Sequence, residues 1–141
     1  MDSNNRIASM FWALRTGLGA TAFLAGADKF TNLLTDWEKY IAPKASEKLP
    51  LSNKNFMRIV GIIEMLVGIG ILSPKVEISS YAASTWLTCI AGNLVLNHDY
   101  DIAVRDLNMA IGAFVLARLS AMRAQETNAR KPFAVESELA A

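Results

Sequence analysis

Charge is scarce in this sequence, and so are the residues of thiol and metal chemistry. Lys, Arg, Asp and Glu make up 19% of the 141 residues, against roughly 25% in an average soluble domain. Fourteen basic and thirteen acidic side chains nearly cancel, so there is no basic excess to hold nucleic acid. The single cysteine, Cys89, excludes an internal disulfide and any Cys-x-x-Cys redox or zinc motif. In the middle of an apolar run it reads as an inert small packing residue. The single histidine, His98, stands beside Asp99 and Asp101. A capping loop accounts for those three as well as a metal does, so no metal is expected. Haem would need a buried axial ligand, and His98 falls at the end of an apolar run. No nucleophile–base pair, phosphate loop or dinucleotide fingerprint is present, and no covalently bound cofactor is expected.

What is present is apolar sequence in four long runs. Hydrophobic residues make up 52% of the chain, and the mean hydropathy is +0.26. The runs cover about 7–27, 56–72, 78–96 and 102–122, each close to the ~20 residues that cross ~30 Å of hydrocarbon at about 1.5 Å per residue. Their glycines and alanines would weaken a soluble helix, whereas in lipid small residues let helix backbones approach closely. The fold expected is all-α: a four-transmembrane-helix bundle over 1–123, with the lipid bilayer as its solvent. A soluble bundle is the competing reading, but the runs lack the wide polar face that such helices show. A signal peptide competes for the first run, because Arg6 precedes it and Ala25-Gly26-Ala27 resembles a cleavage site. Arg15, in the middle of that run, suits a bundle helix better.

The connections are unequal. Ser73-Pro74-Lys75 predicts a tight turn, and 97–101 links the last two helices with Asp101 as N-cap. Residues 28–55 form a long polar loop. In it Phe30, Leu33, Leu34, Trp37 and Tyr40 or Ile41 recur at helical spacing, which predicts a short amphipathic interfacial helix over about 31–41. Pro43 and Pro50 are expected to break the loop thereafter. Trp12, Trp37, Trp86, Tyr40 and Tyr81 read as packing residues or interface anchors. The tail, 124–141, is polar, contains Pro132, and is expected to be mobile unless a partner holds it.

Ionisable residues inside spanning runs are costly and therefore informative. Arg15 shares a helix face with Gly19, Ala22 and Gly26, and Glu64 shares one with Gly61 and Gly68, so both should point into the bundle. Let side A hold the N-terminus and side B the long loop. Arg15 then lies about 12 Å from side A and Glu64 about 12 Å from side B, leaving a ~6 Å difference in depth that an arginine can cover. An Arg15–Glu64 ion pair is expected. Asp28, Lys29, Asn93, Asn97, Arg105, Asp106 and Asn108 gather near side B, with Asp28 level with Arg105 and Lys29 with Asp106. Asp101, Arg105, Asn108 and Gly112 fall on one face, expected to point inward. A polar cavity open at side B and floored by Arg15 and Glu64 follows, holding a quinone head group, a small anion or a partner's loop. The alternative is that these charges pair only to fix helix register. Arg118 and Arg123 should snorkel outward near side A.

The segments LRTGLGATAFLAGADKF, GIIEMLVGIGIL and YDIAVRDLNMAIGAFVLARL together resemble the DoxX-like family of small four-helix membrane proteins. The arginine of that family's first helix, the glutamate of its second and the Arg-Asp of its fourth map onto Arg15, Glu64, Arg105 and Asp106. The stretches YIAP and LPLSNKNFMR in the long loop are similar to those of a subgroup. Members include small subunits associated with quinol oxidase and thiosulfate:quinone oxidoreductase, and others accompany oxidative-stress systems. The resemblance implies an accessory subunit of a larger electron-transfer assembly in a bacterial-type inner membrane, in contact with quinone, with both termini cytoplasmic. A self-contained quinone- or small-molecule-binding protein is the alternative. One cysteine departs from thiol-redox relatives and argues against dithiol exchange. Charge alone leaves orientation open, since six basic residues on side A face seven on side B. A small-solute carrier is disfavoured by the absence of Pro-broken spans and of an inverted repeat. No catalytic residue can be assigned.

Overall fold

The computed structural model describes residues 3–47 and 50–139, with side chains placed over 5–43, 46–47 and 50–129. Every regular element among the described residues is helical. Four are long: α1 (Ser3–Asp28), α3 (Asn53–Leu72), α4 (Val76–Leu96) and α5 (Tyr100–Leu139). Between α1 and α3 lie a 3-10 helix at Trp37–Tyr40 and one helical turn, α2 (Pro43–Ser46). Helices α1 and α5 each pack on α3 and α4 respectively, α3 meets α4, and α5 returns to α1. The result is a ring of antiparallel neighbours made of two tight pairs.

Glycine sets the register of the first pair. A Cβ on Gly26 would stand 2.5 Å from the Gly61 carbonyl oxygen, and one on Gly68 would stand 2.7 Å from the Gly19 oxygen. Backbone therefore lies on backbone, and no larger residue fits without separating α1 from α3. In the second pair, Ala83 and Ala91 of α4 and Ala103, Ala110, Ala113 and Ala117 of α5 are buried, which allows the same close approach. The larger core side chains, Phe11, Ile71 and Leu116, gather with Val76, Leu14 and Leu18 toward side A. Outward faces are apolar on every long helix, including Met10, Leu66, Ile78 and Ile111. Among the described residues, two helices, Asn5–Asp28 and Asn53–Leu72, are long and apolar enough to cross a membrane. The turn at Ser73-Pro74-Lys75 forms where expected.

Four local expectations need correction. No amphipathic helix forms over 31–41; the chain makes only the 3-10 turn. The cause is Asp28, whose carboxylate accepts the N–H groups of Leu33 and Leu34, the Thr31 hydroxyl and the Trp37 indole N–H. Those donors fold the chain around one acceptor instead of into a helix. Asn32, at φ 52°, makes the reversal, and Leu33 and Leu34 are left 84% and 74% exposed. Pro43 opens α2, as proline does in a first helical turn, rather than breaking a helix. The polar tail does not leave the helix near 122. Ala121, Ala124, Gln125 and Glu126 are good helix formers, and extending an existing helix needs no new nucleus, so α5 continues to Leu139. It begins at Tyr100, with the Asp99 carbonyl accepting from the Ala103 N–H. Asp101 thus sits inside the first turn rather than at the cap.

Candidate functional site

The two helix pairs separate toward side B and enclose a cavity of about 470 Å³. Its wall is mostly apolar, from Leu18, Ala22, Val67, Leu87 and Ile90 among others. Polar groups collect at one end: Lys29, Glu64, Arg105, Asp106, Asn93, Trp37 and Trp86. The cavity is an amphipathic chamber, not the polar funnel expected.

Its head is an ion pair. Lys29 Nζ donates to Glu64 Oε2 at 2.6 Å, with side chains only 4% and 12% exposed. The Trp37 ring covers the ammonium, whose Nζ lies 3.8 Å from the ring centroid. Trp37 is itself oriented by its N–H bond to Asp28, at 2.8 Å. A chain of contacts therefore runs from Asp28 through Trp37 and Lys29 to Glu64. Asp106 and Trp86 lie within electrostatic reach of Glu64, although Trp86 Nε1 is buried without a hydrogen bond of its own. Arg105 pairs with its neighbour Asp106 at 3.0 Å. Its guanidinium is 59% exposed while the Asp106 carboxylate is buried, so this pair joins the chamber to the outside.

The expected Arg15–Glu64 pair does not form. Arg15 donates to the carbonyl oxygens of Ile71, Leu72 and Ser73 at 2.7–2.9 Å, which caps the C-terminal end of α3, where such groups have no helical partner. Its guanidinium also stacks 4.7 Å from the Trp12 ring centroid. Side-chain direction explains the change. Helical side chains lean toward their own N-terminus, so Arg15 leans toward side A while Glu64, on an antiparallel helix, leans toward side B. The two diverge. Lys29 leans toward side A, and so converges on Glu64. Signals for this were present: glycines seven apart on both helices, at 19 and 26 and at 61 and 68, together dictate the register that places Lys29 Cβ beside Gly61.

The remaining candidates divide. Asp28 bonds the loop and does not meet Arg105, and Lys29 meets Glu64 rather than Asp106. Asn93 fastens the loop: its Nδ2 donates to the Tyr40 carbonyl at 2.7 Å and its Oδ1 accepts from the Ala42 N–H. Asn97 adds a bond to the Lys39 carbonyl. So anchored, Ile41 is buried with Met57 and Val60, against Trp37, Phe56 and Trp86. The loop is a wedge between α3 and α4. Asn108 and Asp101 are exposed, not inward, because the alanine stripe of α5 takes the inner face. Gly112 lies against Leu14 and Leu18 of α1. Cys89 is exposed at the cavity edge rather than packed inside. Arg123 stacks on Phe11, 4.7 Å from its centroid, instead of snorkelling outward, whereas Arg118 is exposed. His98 bonds Tyr100 across the α4–α5 turn. The side chains of Lys44, Lys48, Arg130 and Lys131, which entered the charge balance, lie outside the described residues. Comparison with models of known families, with characterised proteins and with solved structures finds no match.

Proposed function

We propose that this chain is a multi-pass membrane protein whose four long helices all cross the bilayer and whose chamber holds the head group of a quinone-type ligand. The observation that carries the reading is the chamber itself. It combines an apolar wall with a buried, tryptophan-covered Lys29–Glu64 pair at one end, which suits a molecule with an apolar body and a small oxygen-bearing head. Such a pair offers both an N–H donor and a carboxylate acceptor.

Crossing by α4 and α5 is supported by their surfaces. Ile78 and Leu96 on α4 and Val104, Ile111 and Phe114 on α5 are exposed, and so broad an apolar exterior is unusual on a water-soluble monomer. The hydroxyl of Thr88 returns to the Ser84 carbonyl at 2.8 Å, the way a spanning helix satisfies such a group without water. The DoxX-like resemblance agrees with this reading and adds a bacterial-type inner membrane, cytoplasmic termini and an outward loop.

A second reading, an accessory subunit of a larger electron-transfer assembly, is favoured by α5. Beyond the bundle its residues 124–129 are exposed, and a projecting polar helix suits a partner. Both readings are tested on gently extracted protein. Solvent extraction and mass spectrometry should recover a quinone from the wild type and lose it from Lys29→Ala, while copurifying redox subunits should appear in near-stoichiometric amount. A stable particle with neither quinone nor partner would defeat both.

A further inference from the structure

We infer that the side-B half of the seam between α1 and α5 is a lateral portal, through which a bilayer-dissolved ligand enters the chamber and along which its apolar tail lies. The inference rests on the chamber being a ligand site and goes beyond it by naming the route and the tailed class of ligand.

The ring of helices has two weak seams near side B. The one between α3 and α4 is closed by the wedge: Ile41 and Ala42 are buried there, held by the oxygen and the nitrogen of the Asn93 side-chain amide. Among the described residues, the seam between α1 and α5 has no such filling. Toward side A these two helices touch, with Leu14 and Leu18 against Gly112. Toward side B both turn residues into the chamber that are nevertheless exposed: Thr21 from α1 and Arg105 from α5. A residue that lines a chamber and also meets the exterior stands at a mouth. Leu34, in the loop, and Cys89, one turn from Asn93, do so as well. Their opening lies against the loop, whereas the one at Thr21 and Arg105 lies between two bare helices. Helical spacing puts Thr21 on the α5-facing side of α1, and Met109 with Arg105 on the α1-facing side of α5. The mouth therefore opens sideways, where an all-spanning bundle would meet acyl chains. Head groups entering there pass the half-exposed Arg105–Asp106 pair and come to rest at the buried Lys29–Glu64 pair, leaving the tail along the seam.

The test bridges the slot. Thr21→Cys and Met109→Cys, in a Cys89→Ser and Trp12→Phe background, are joined by a short bifunctional thiol reagent. Binding is followed by quenching of Trp37 and Trp86 by two quinones, one with a decyl tail and one with methyl groups only. The expected result is at least tenfold slower or weaker binding of the decyl quinone to the bridged protein, with the tailless quinone unaffected. Decyl quinone binding at the unbridged rate and affinity overturns the portal. Equal loss of both quinones on bridging also counts against it, since the bridge would then have distorted the chamber. If neither quinone quenches the unbridged protein, the chamber reading fails, and the portal with it.

Discussion

Removing Lys29 should destabilise the protein far more than removing the whole ion pair. In Lys29→Met the Glu64 carboxylate keeps its burial, 12% exposed in the native fold, but loses the 2.6 Å partner. Breaking a buried pair from one side costs about 3–5 kcal/mol, because an uncompensated charge remains. Loss of the Trp37 contact adds about 1–2 kcal/mol at a desolvated site. In the double variant Lys29→Met with Glu64→Leu, no charge is stranded and the apolar wall is extended, so stability should return to within about 1–2 kcal/mol of wild type. The assay is a double-mutant cycle on reversible unfolding in mixed micelles. Coupling between positions 29 and 64 should reach about 2 kcal/mol or more, while Arg15→Gln and Glu64→Gln should add within about 0.5 kcal/mol, as uncoupled sites do. Strong coupling of Arg15 to Glu64, or a Lys29→Met protein as stable as wild type, would refute the register and the side-chain directions derived from it.

Gly26→Ala should cost about 1–3 kcal/mol, since its methyl meets the Gly61 oxygen at 2.5 Å and the Met65 nitrogen at 2.8 Å; thermal unfolding would show it. Gly92→Ala, where nothing lies within 4 Å, should be neutral or stabilising by up to about 1 kcal/mol. In Asp28→Asn one of two acceptor oxygens becomes a donor, so hydrogen exchange and proteolysis within 29–37 should rise while helix content by circular dichroism stays constant. Asn93→Ala should release the loop at Tyr40 and Ala42, at a cost of about 1–3 kcal/mol for the two groups left unpaired, and an environment-sensitive probe on the loop would report the movement.

Which parts of this were legible beforehand depends on how far each argument had to reach. The four long helices were, because each is a local statement about run length and flanking turns. The inward direction of Glu64 was as well, since Gly61 and Gly68 share its face. The loop helix failed because the spacing of Phe30, Leu33, Leu34 and Trp37 was read without the acceptor just before it. Asp28 collects the N–H groups and indole that a helix would have used otherwise. Asn108 failed because a polar face was taken as the inner one, when in α5 the alanines that permit close approach to α4 govern burial.

Composition and periodicity determined that this is an all-helical chain with few charges and a close-packing glycine face, because those properties depend on neighbours within a few turns. Only the tertiary structure decided which charges meet. Depth counted along separate helices brought Arg15 to Glu64, yet ion pairing depends on register and on the lean of each side chain, both set between helices. Gly19 against Gly68 and Gly26 against Gly61 fix that register, sending Arg15 to the end of α3 and Lys29 to Glu64. The chamber, likewise, exists only because the two helix pairs part toward side B while the loop closes one of the gaps between them.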